Sequence, residues 1–300
     1  MNNILTDTEL EQFYKNGFIG PFKLYEVEEA KEILKSIRIK SLDRKNILYD
    51  NPVNYDRHFD IQELSDHVCH PGIVNRLKPI LGDDVLCWRT EWFPKFPGAK
   101  GTEWHQVGDY SYATGDPMLV PTEDLTGKPM DMTVWTCFTP ATKENGCMKF
   151  LPGSQNQMYF DESKTKEKSK HLIDYEYEYD LYNDSFYGYN FADFKIDKNW
   201  EPDESKAVHI EMKPGECIIF SAKCVHASNG NTTKNQTRLA ITARYVQNHV
   251  KVYENTDQFR AHGADFDLKK YGCVQVSGND SYGHNKIRKT NNLGVDFQVR

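Results

Sequence analysis

His105 lies in the run Gly101-Thr102-Glu103-Trp104-His105-Gln106-Val107, and His226 lies far downstream in Phe220-Ser221-Ala222-Lys223-Cys224-Val225-His226-Ala227-Ser228. Two arginines follow, Arg238 and Arg244. Neutral imidazole ligates ferrous iron well, and two histidines with one carboxylate make the facial set of non-haem iron oxygenases. In most such sites the carboxylate stands two residues after the first histidine. Here that position is Val107. The pattern outlines an iron site for a dicarboxylate co-substrate with one ligand missing, although a histidine taken singly is more often structural than a ligand.

A strand suits the first histidine, because residues i and i+2 point to one face. His105 and Val107 would then face inward and Gln106 outward, with His226 arriving from an opposing strand. Arg238, Ala240, Thr242 and Arg244 also share one strand face, so both guanidinium groups point the same way. Such a pair fits anchoring a diacid through bidentate contacts. It fits ordinary surface ion pairing as well. Asp109 is in phase with His105, but a straight strand would place it about 13 Å away. Only a turn or bulge at Gly108 could return it to a metal; a loop carboxylate or a substrate contact is the simpler role.

Bulk properties narrow the classes. The chain has 300 residues, a formal net charge of -7 and a pI near 5.8, which argues against nucleic acid or anionic membrane as a general partner. No N-terminal apolar segment of signal-peptide type and no run of eighteen apolar residues occurs, so a soluble chain is expected. Seven cysteines without CxxC spacing fit reduced thiols in the cytoplasm better than a disulfide scaffold.

The elements that must position these residues follow from periodicity. Residues 1–84 read as mostly helical, with a cap at Thr6, a three-and-four apolar repeat from Glu28 to Leu42, and a short helix from Pro71 to Leu81 closed by Gly82. Asn54 to His58 reads as a connection. From Val85 the period becomes two: Val85–Phe96, Met130–Thr139, Met148–Leu151, His209–Met212, Cys217–Phe220 and Arg238–Tyr245. Many short strands with outer helices predict a mainly β fold of the sandwich or jelly-roll kind, organised as one domain over 1–300. Residues 161–199 stand apart, rich in lysine and then in tyrosine and acidic residues. They fit a lid or partner-docking insertion, or a solvated excursion.

Several longer runs carry a family likeness. They include Asn16-Gly17-Phe18-Ile19-Gly20-Pro21-Phe22, Asn54-Tyr55-Asp56-Arg57-His58, Leu86-Cys87-Trp88-Arg89-Thr90-Glu91, Trp104-His105-Gln106, Thr133-Val134-Trp135-Thr136, Asn145-Gly146-Cys147 and Pro152-Gly153-Ser154-Gln155-Asn156. With them the chain resembles, nearly end to end, the iron(II)/2-oxoglutarate-dependent aliphatic halogenases of the phytanoyl-CoA dioxygenase superfamily. The resemblance implies a double-stranded β-helix, a cupin-like jelly roll. It implies His105 and His226 as metal ligands and Arg238 as the anchor for 2-oxoglutarate, supported by Thr102 and Trp135. Thr133 and Arg244 would belong to the polar wall near a halide. The implied co-reactants are Fe(II), 2-oxoglutarate, O2 and chloride or bromide. The implied partner is an acyl- or peptidyl-carrier protein bearing a thioester substrate, for which the lysines between 164 and 170 are a candidate docking patch.

The sequence departs from that family at its decisive position. Halogenases keep alanine or glycine where hydroxylases keep Asp or Glu, and this chain has Val107. Valine cannot ligate, but its two stiff γ-methyls occupy space a halide would need. Overpacking of this kind costs ~1–3 kcal/mol unless the wall recedes. Gly108 could give that room. Tyr110 and Tyr112 would face the substrate cavity or serve as core aromatics. Halogenation leads, a hydroxylase on the same scaffold is the alternative, and a non-catalytic relative is third.

Overall fold

Thr6 and Glu9 close the first helix with a reciprocal pair of bonds. The Thr6 hydroxyl accepts from the Glu9 amide at 3.3 Å, and the Glu9 carboxylate accepts from the Thr6 amide at 2.8 Å. The computed structural model describes residues 3–42, 45–125, 127–164, 190–261 and 264–300. Helix α1 (Asp7–Asn16) leads into β1 (Phe18–Lys23), then α2 (Val27–Lys40), α3 (Gln62–Val68) and α4 (Pro71–Leu81). The mostly helical start thus also contains one strand, β1. Its short Phe18-Ile19 core is too brief to show a period, and pairing with a strand two hundred residues away makes it a strand.

Strands follow as β2 (Val85–Lys95), β3 (Leu119–Pro121), β4 (Asp131–Cys137), β5 (Met148–Phe150), β6 (Val208–Ile210), β7 (Glu216–Phe220), β8 (His226–Ser228), β9 (Arg238–Gln247), β10 (Val250–Val252), β11 (Gln258–Ala261), β12 (Ala264–Asp267) and β13 (Val274–Ser277). Six of them form one antiparallel sheet in the order β1-β7-β4-β9-β2-β13. A second sheet has the order β6-β5-β8. The fold is thus mainly β with few helices.

Both faces of the large sheet are used, and alternation assigns them. Trp92 of β2 and Ile241 of β9 turn outward with Phe138, where they meet Ala30, Leu34 and Ile37 of α2 and Leu64 of α3. The α2 residues recur at four and three, one apolar stripe of a helix. Burying Leu34 and Ile37 contributes roughly 1.5–3 kcal/mol each. On the inner face, Trp135, Ile218, Phe220 and Ala240 pack with Met148, Phe150 and Ile210 of the small sheet. Between the sheets, toward one end, opens the cavity described below.

Among the described residues no helix is long and apolar enough to cross a membrane. The seven cysteines are free and buried. Of the 161–199 segment, residues 161–164 and 190–199 are described; residues 165–189, with the lysines from 166 to 170, lie outside the described residues.

Candidate active site

His105 and His226 are direct cross-strand partners. The amide of His105 donates to the His226 carbonyl at 3.0 Å, and the amide of His226 donates back to His105 at 2.9 Å. This isolated bridge continues the edge that β8 offers, and it brings the two rings to a centroid separation of 4.2 Å. Each Nδ1 faces a main-chain carbonyl: His105 that of Glu103 at 2.8 Å, His226 that of Cys224 at 2.7 Å. Carbonyls only accept, so both Nδ1 atoms carry the proton and both lone pairs sit on Nε2. Burial keeps both rings neutral. It lowers the His105 pKa to about 4, with Arg244 adding to the effect against the Glu103 carbonyl, and lowers that of His226 well below the usual value.

This donor set fits a transition-metal ion. Two cis ligands with metal–nitrogen bonds of about 2.1 Å bring imidazole centroids to about 4.5 Å, close to the observed 4.2 Å. Carbonyl partners on the far nitrogens are the usual outer contacts of metal-bound histidine. Among the described residues, no third His, Cys, Asp or Glu joins the pair as a ligand set.

Val107 lines the same cavity, half-buried, with its amide donating to the Ala222 carbonyl at 2.9 Å. The run around it is no regular strand, which corrects the expected alternation. Gln106 is buried rather than turned to solvent. Its amide nitrogen donates to the carbonyls of Gln157 at 2.7 Å and Lys223 at 2.6 Å, and its oxygen accepts from the Tyr159 amide at 2.8 Å. Main-chain groups of two segments, 157–159 and 223, that no strand pairs need a partner, and Gln106 supplies it. Asp109 does not line the cavity. Its side chain accepts from Ser111 at 3.2 Å within its own loop.

The inner face of the large sheet supplies the opposite wall: Glu91 and Phe93 from β2, Thr133 and Trp135 from β4, and Arg238, Thr242 and Arg244 from β9. Arg238 is 3% exposed and donates to the carbonyls of Gly146 at 3.1 Å and Phe93 at 2.6 Å. Its guanidinium lies 5.0 Å over the Trp135 ring. Among the described residues it makes no ion pair. Burial lowers its pKa to about 10, still leaving it a cation at neutral pH. Gly146 itself sits at φ +103°, and a Cβ there would stand 2.3 Å from Cδ of Lys95. Lys95 is the cross-strand neighbour of Arg238 and is itself buried, its Nζ donating to the Lys100 carbonyl at 2.8 Å. Thr102 also lines the cavity, its amide donating to the Ser228 hydroxyl at 3.1 Å.

Arg244 differs. Its Nε and Nη2 donate to one carboxylate oxygen of Glu91 at 3.1 and 2.6 Å, and Nη1 donates to Tyr110 at 2.6 Å and Thr133 at 3.1 Å. Burial opposes its charge, but Glu91 and Tyr110 outweigh that and raise its pKa. Tyr110 and Tyr112 are both buried in the cavity wall. The described ends of the 161–199 segment reach the cavity as well: Phe191 stacks on His105 at 4.3 Å and 16°, and Glu162 and Phe194 line it beside Phe160. Glu91, Glu162 and Phe191 were not among the sequence candidates. Only Glu91 left a signal, a charge in phase with Phe93 on an otherwise apolar strand.

A model of the phytanoyl-CoA dioxygenase family matches residues 13–240. The chain belongs to the phytanoyl-CoA dioxygenase family. Among solved structures, it is 34% identical to CytC3, determined with Fe(II) and alpha-ketoglutarate; the match covers 100% of this chain and 98% of that one, with a TM-score of 0.77. It is 26% identical over 180 residues to the dioxygenase peniF of Penicillium patulum, spanning 60% of this chain and 44% of that protein. A probable phytanoyl-CoA dioxygenase of Caenorhabditis elegans is 21% identical over 279 residues, spanning 84% and 79%. The match to peniF thus takes in less than half of that relative. Within the family, the metal-type histidine pair and the buried Arg238, which makes no ion pair among the described residues, are the features to be explained.

Proposed function

We propose that this chain is an Fe(II)- and 2-oxoglutarate-dependent oxygenase that halogenates an unactivated C–H bond. The substrate would be an aminoacyl or acyl group tethered as a thioester to a carrier protein, on a scaffold of the double-stranded β-helix kind. The observation carrying this reading is the His105–His226 pair with Val107 where a carboxylate would complete the set. Iron with 2-oxoglutarate and dioxygen would supply oxidation strong enough to break such a bond, and a halide would supply the atom delivered.

The chain's own residues do the positioning. His105 and His226 hold the metal through Nε2, their orientation fixed by the Glu103 and Cys224 carbonyls. Arg238 receives the distal carboxylate of 2-oxoglutarate, with Trp135 beneath it and Thr102 nearby. Val107, Thr133 and Arg244 form the wall beside the chloride or bromide. Arg244 contributes a muted field there, because Glu91 already answers its charge. Phe160, Phe191, Phe194 and Phe259 line the cavity with apolar surface that excludes water and suits an aliphatic chain.

A hydroxylase is the second reading, and Val107 is the observation favouring it. Its β-branched side chain packs against the main core cluster and has few rotamers with which to withdraw. The deciding experiment is an anaerobic titration of Fe(II) and 2-oxoglutarate with and without chloride, followed through the metal-to-ligand charge-transfer band. A chloride-dependent shift is expected, and it should strengthen in Val107→Ala, where relief of ~1–3 kcal/mol of crowding tightens halide binding. A band indifferent to chloride in both proteins, with oxygenated product in halide-free buffer, selects the hydroxylase.

A further inference from the structure

The chain leaves His105 through a turn that is gripped from outside. Oε2 of Glu162 accepts from the Gly108 amide at 2.6 Å and from the Asp109 amide at 3.0 Å. Burial, with the nearby Asp109 charge adding to it, pushes the Glu162 pKa up to about 7, and the amides of Asp109, Gly108 and Tyr110 work against that rise by stabilising the carboxylate. Three successive amides turned toward one anion form a nest, a concavity suited to negative charge. Tyr110 sits at φ +58°, the left-handed conformation that reverses the chain after these amides. Further bonds hold the same turn: the Leu119 amide donates to the Asp109 carbonyl at 3.2 Å, and the Ser111 hydroxyl donates to the Asp109 carboxylate at 3.2 Å. Glu162 lines the cavity, whereas Asp109 does not.

Asp109 is the first carboxylate after His105 in the chain, and a bend at Gly108 is the route by which it could approach the imidazole pair. The nest spends that bend on Glu162 instead. To bring Asp109 inward, the amides of 108–110 would have to release a half-buried carboxylate, and each charge-assisted bond lost disfavours the change. We propose that Glu162 is a positioning residue that pins the 108–110 turn and so keeps Asp109 from completing the ligand set beside His105 and His226. The proposal rests on reading those imidazoles as a metal-binding pair, and is independent of halide. It places the control of an open coordination vertex on a residue 54 positions from Gly108.

Two readouts test it, the first without metal. In the metal-free full-length protein, Glu162→Ala is expected to speed amide hydrogen exchange across 106–112 by about tenfold. Glu162→Gln keeps an acceptor oxygen and should stay close to the parent. The second readout is Co(II) absorption. Glu162→Ala should bind Co(II) on the order of ten- to a hundred-fold more tightly than Glu162→Ala/Asp109→Asn, with a changed d–d spectrum, while Asp109→Asn alone matches the parent. If Glu162→Ala does not fold, Glu162→Met, of similar length and without the acceptor, carries the same comparison. Unchanged exchange, or Co(II) affinity indifferent to Asp109 once Glu162 is removed, overturns the proposal. Failure of the parent to bind Co(II) overturns it together with the metal reading, whereas a parent that binds metal but ignores chloride removes only halogenation.

Discussion

Arg238 and Arg244 stand on one face of one strand, the first buried and the second partly buried, yet they serve opposite ends. Arg244 is answered inside the chain by Glu91, which also lies 3.6 Å from Arg89. Among the described residues Arg238 meets only carbonyl oxygens and an indole face, with a second buried cation, Lys95, across the strand pair. A buried guanidinium without a counter-charge costs free energy, and a chain keeps that arrangement where an external anion completes it. On the function proposed above, the same residue type therefore means wall structure at one end of the face and a ligand socket at the other.

The largest effect expected from breaking this comparison is on stability at the Arg244 end. Arg244→Met leaves Glu91 buried with Arg89 as its remaining cation, and urea unfolding should register a loss of about 3 kcal/mol, the low end for a broken buried pair. The double variant Glu91→Leu/Arg244→Met should recover much of it, because neither charge is then stranded. A loss below about 1 kcal/mol would place the pair among screened surface bridges and erase the contrast.

At the other end the loss should fall on binding instead. Arg238→Met is expected to weaken 2-oxoglutarate by about thirtyfold, roughly the 2 kcal/mol of a hydrogen bond to a charged group. Unfolding free energy should hold or rise. Arg238→Lys keeps the charge and loses the planar fork, so it should recover only part of the affinity. Equal damage to stability in Arg238→Met and Arg244→Met would mean that both arginines are structural.

Much of this arrangement was legible beforehand, for identifiable reasons. Helix α4 runs from Pro71 to Leu81 as proline at the start and glycine beyond the end dictate. Strands β2, β4 and β9 read clearly because period-two alternation persists for seven residues or more. The shared face of Arg238, Thr242 and Arg244 followed from that alternation and is realised in the cavity wall. What escaped depends on distant segments meeting. Nothing local in Phe18–Lys23 announces an edge strand, and nothing near Glu162 predicts that it will fill a nest fifty residues earlier. Gln106 was misplaced for a related reason: alternation tells which face a side chain takes, not whether solvent waits there. Glu91 was visible as a charge in an apolar strand, but its partner became known only once β2 and β9 were paired.

Lys95 sharpens the contrast most finely, through pH. Burial, and then the neighbouring Arg238, push its pKa down from 10.5 to about 7. Between these values the unfolded chain holds the proton that the folded chain has released, so unfolding takes up protons and stability rises with pH. Below about pH 7 both states are protonated, and the penalty of a charged Lys95 beside Arg238 is fully felt. The contribution to the slope is at most about 1.4 kcal/mol per pH unit. Lys95→Met removes the titrating group while keeping most of the packed stem, so its unfolding free energy should rise less steeply from pH 7 to 10 than the parent's. In Arg238→Met the Lys95 pKa should climb back toward its ordinary value, and the steep region should narrow from the low-pH side. A slope unchanged by either substitution would show that the two cations do not feel one another, and the positive socket assigned to this end of the strand would then reduce to Arg238 alone.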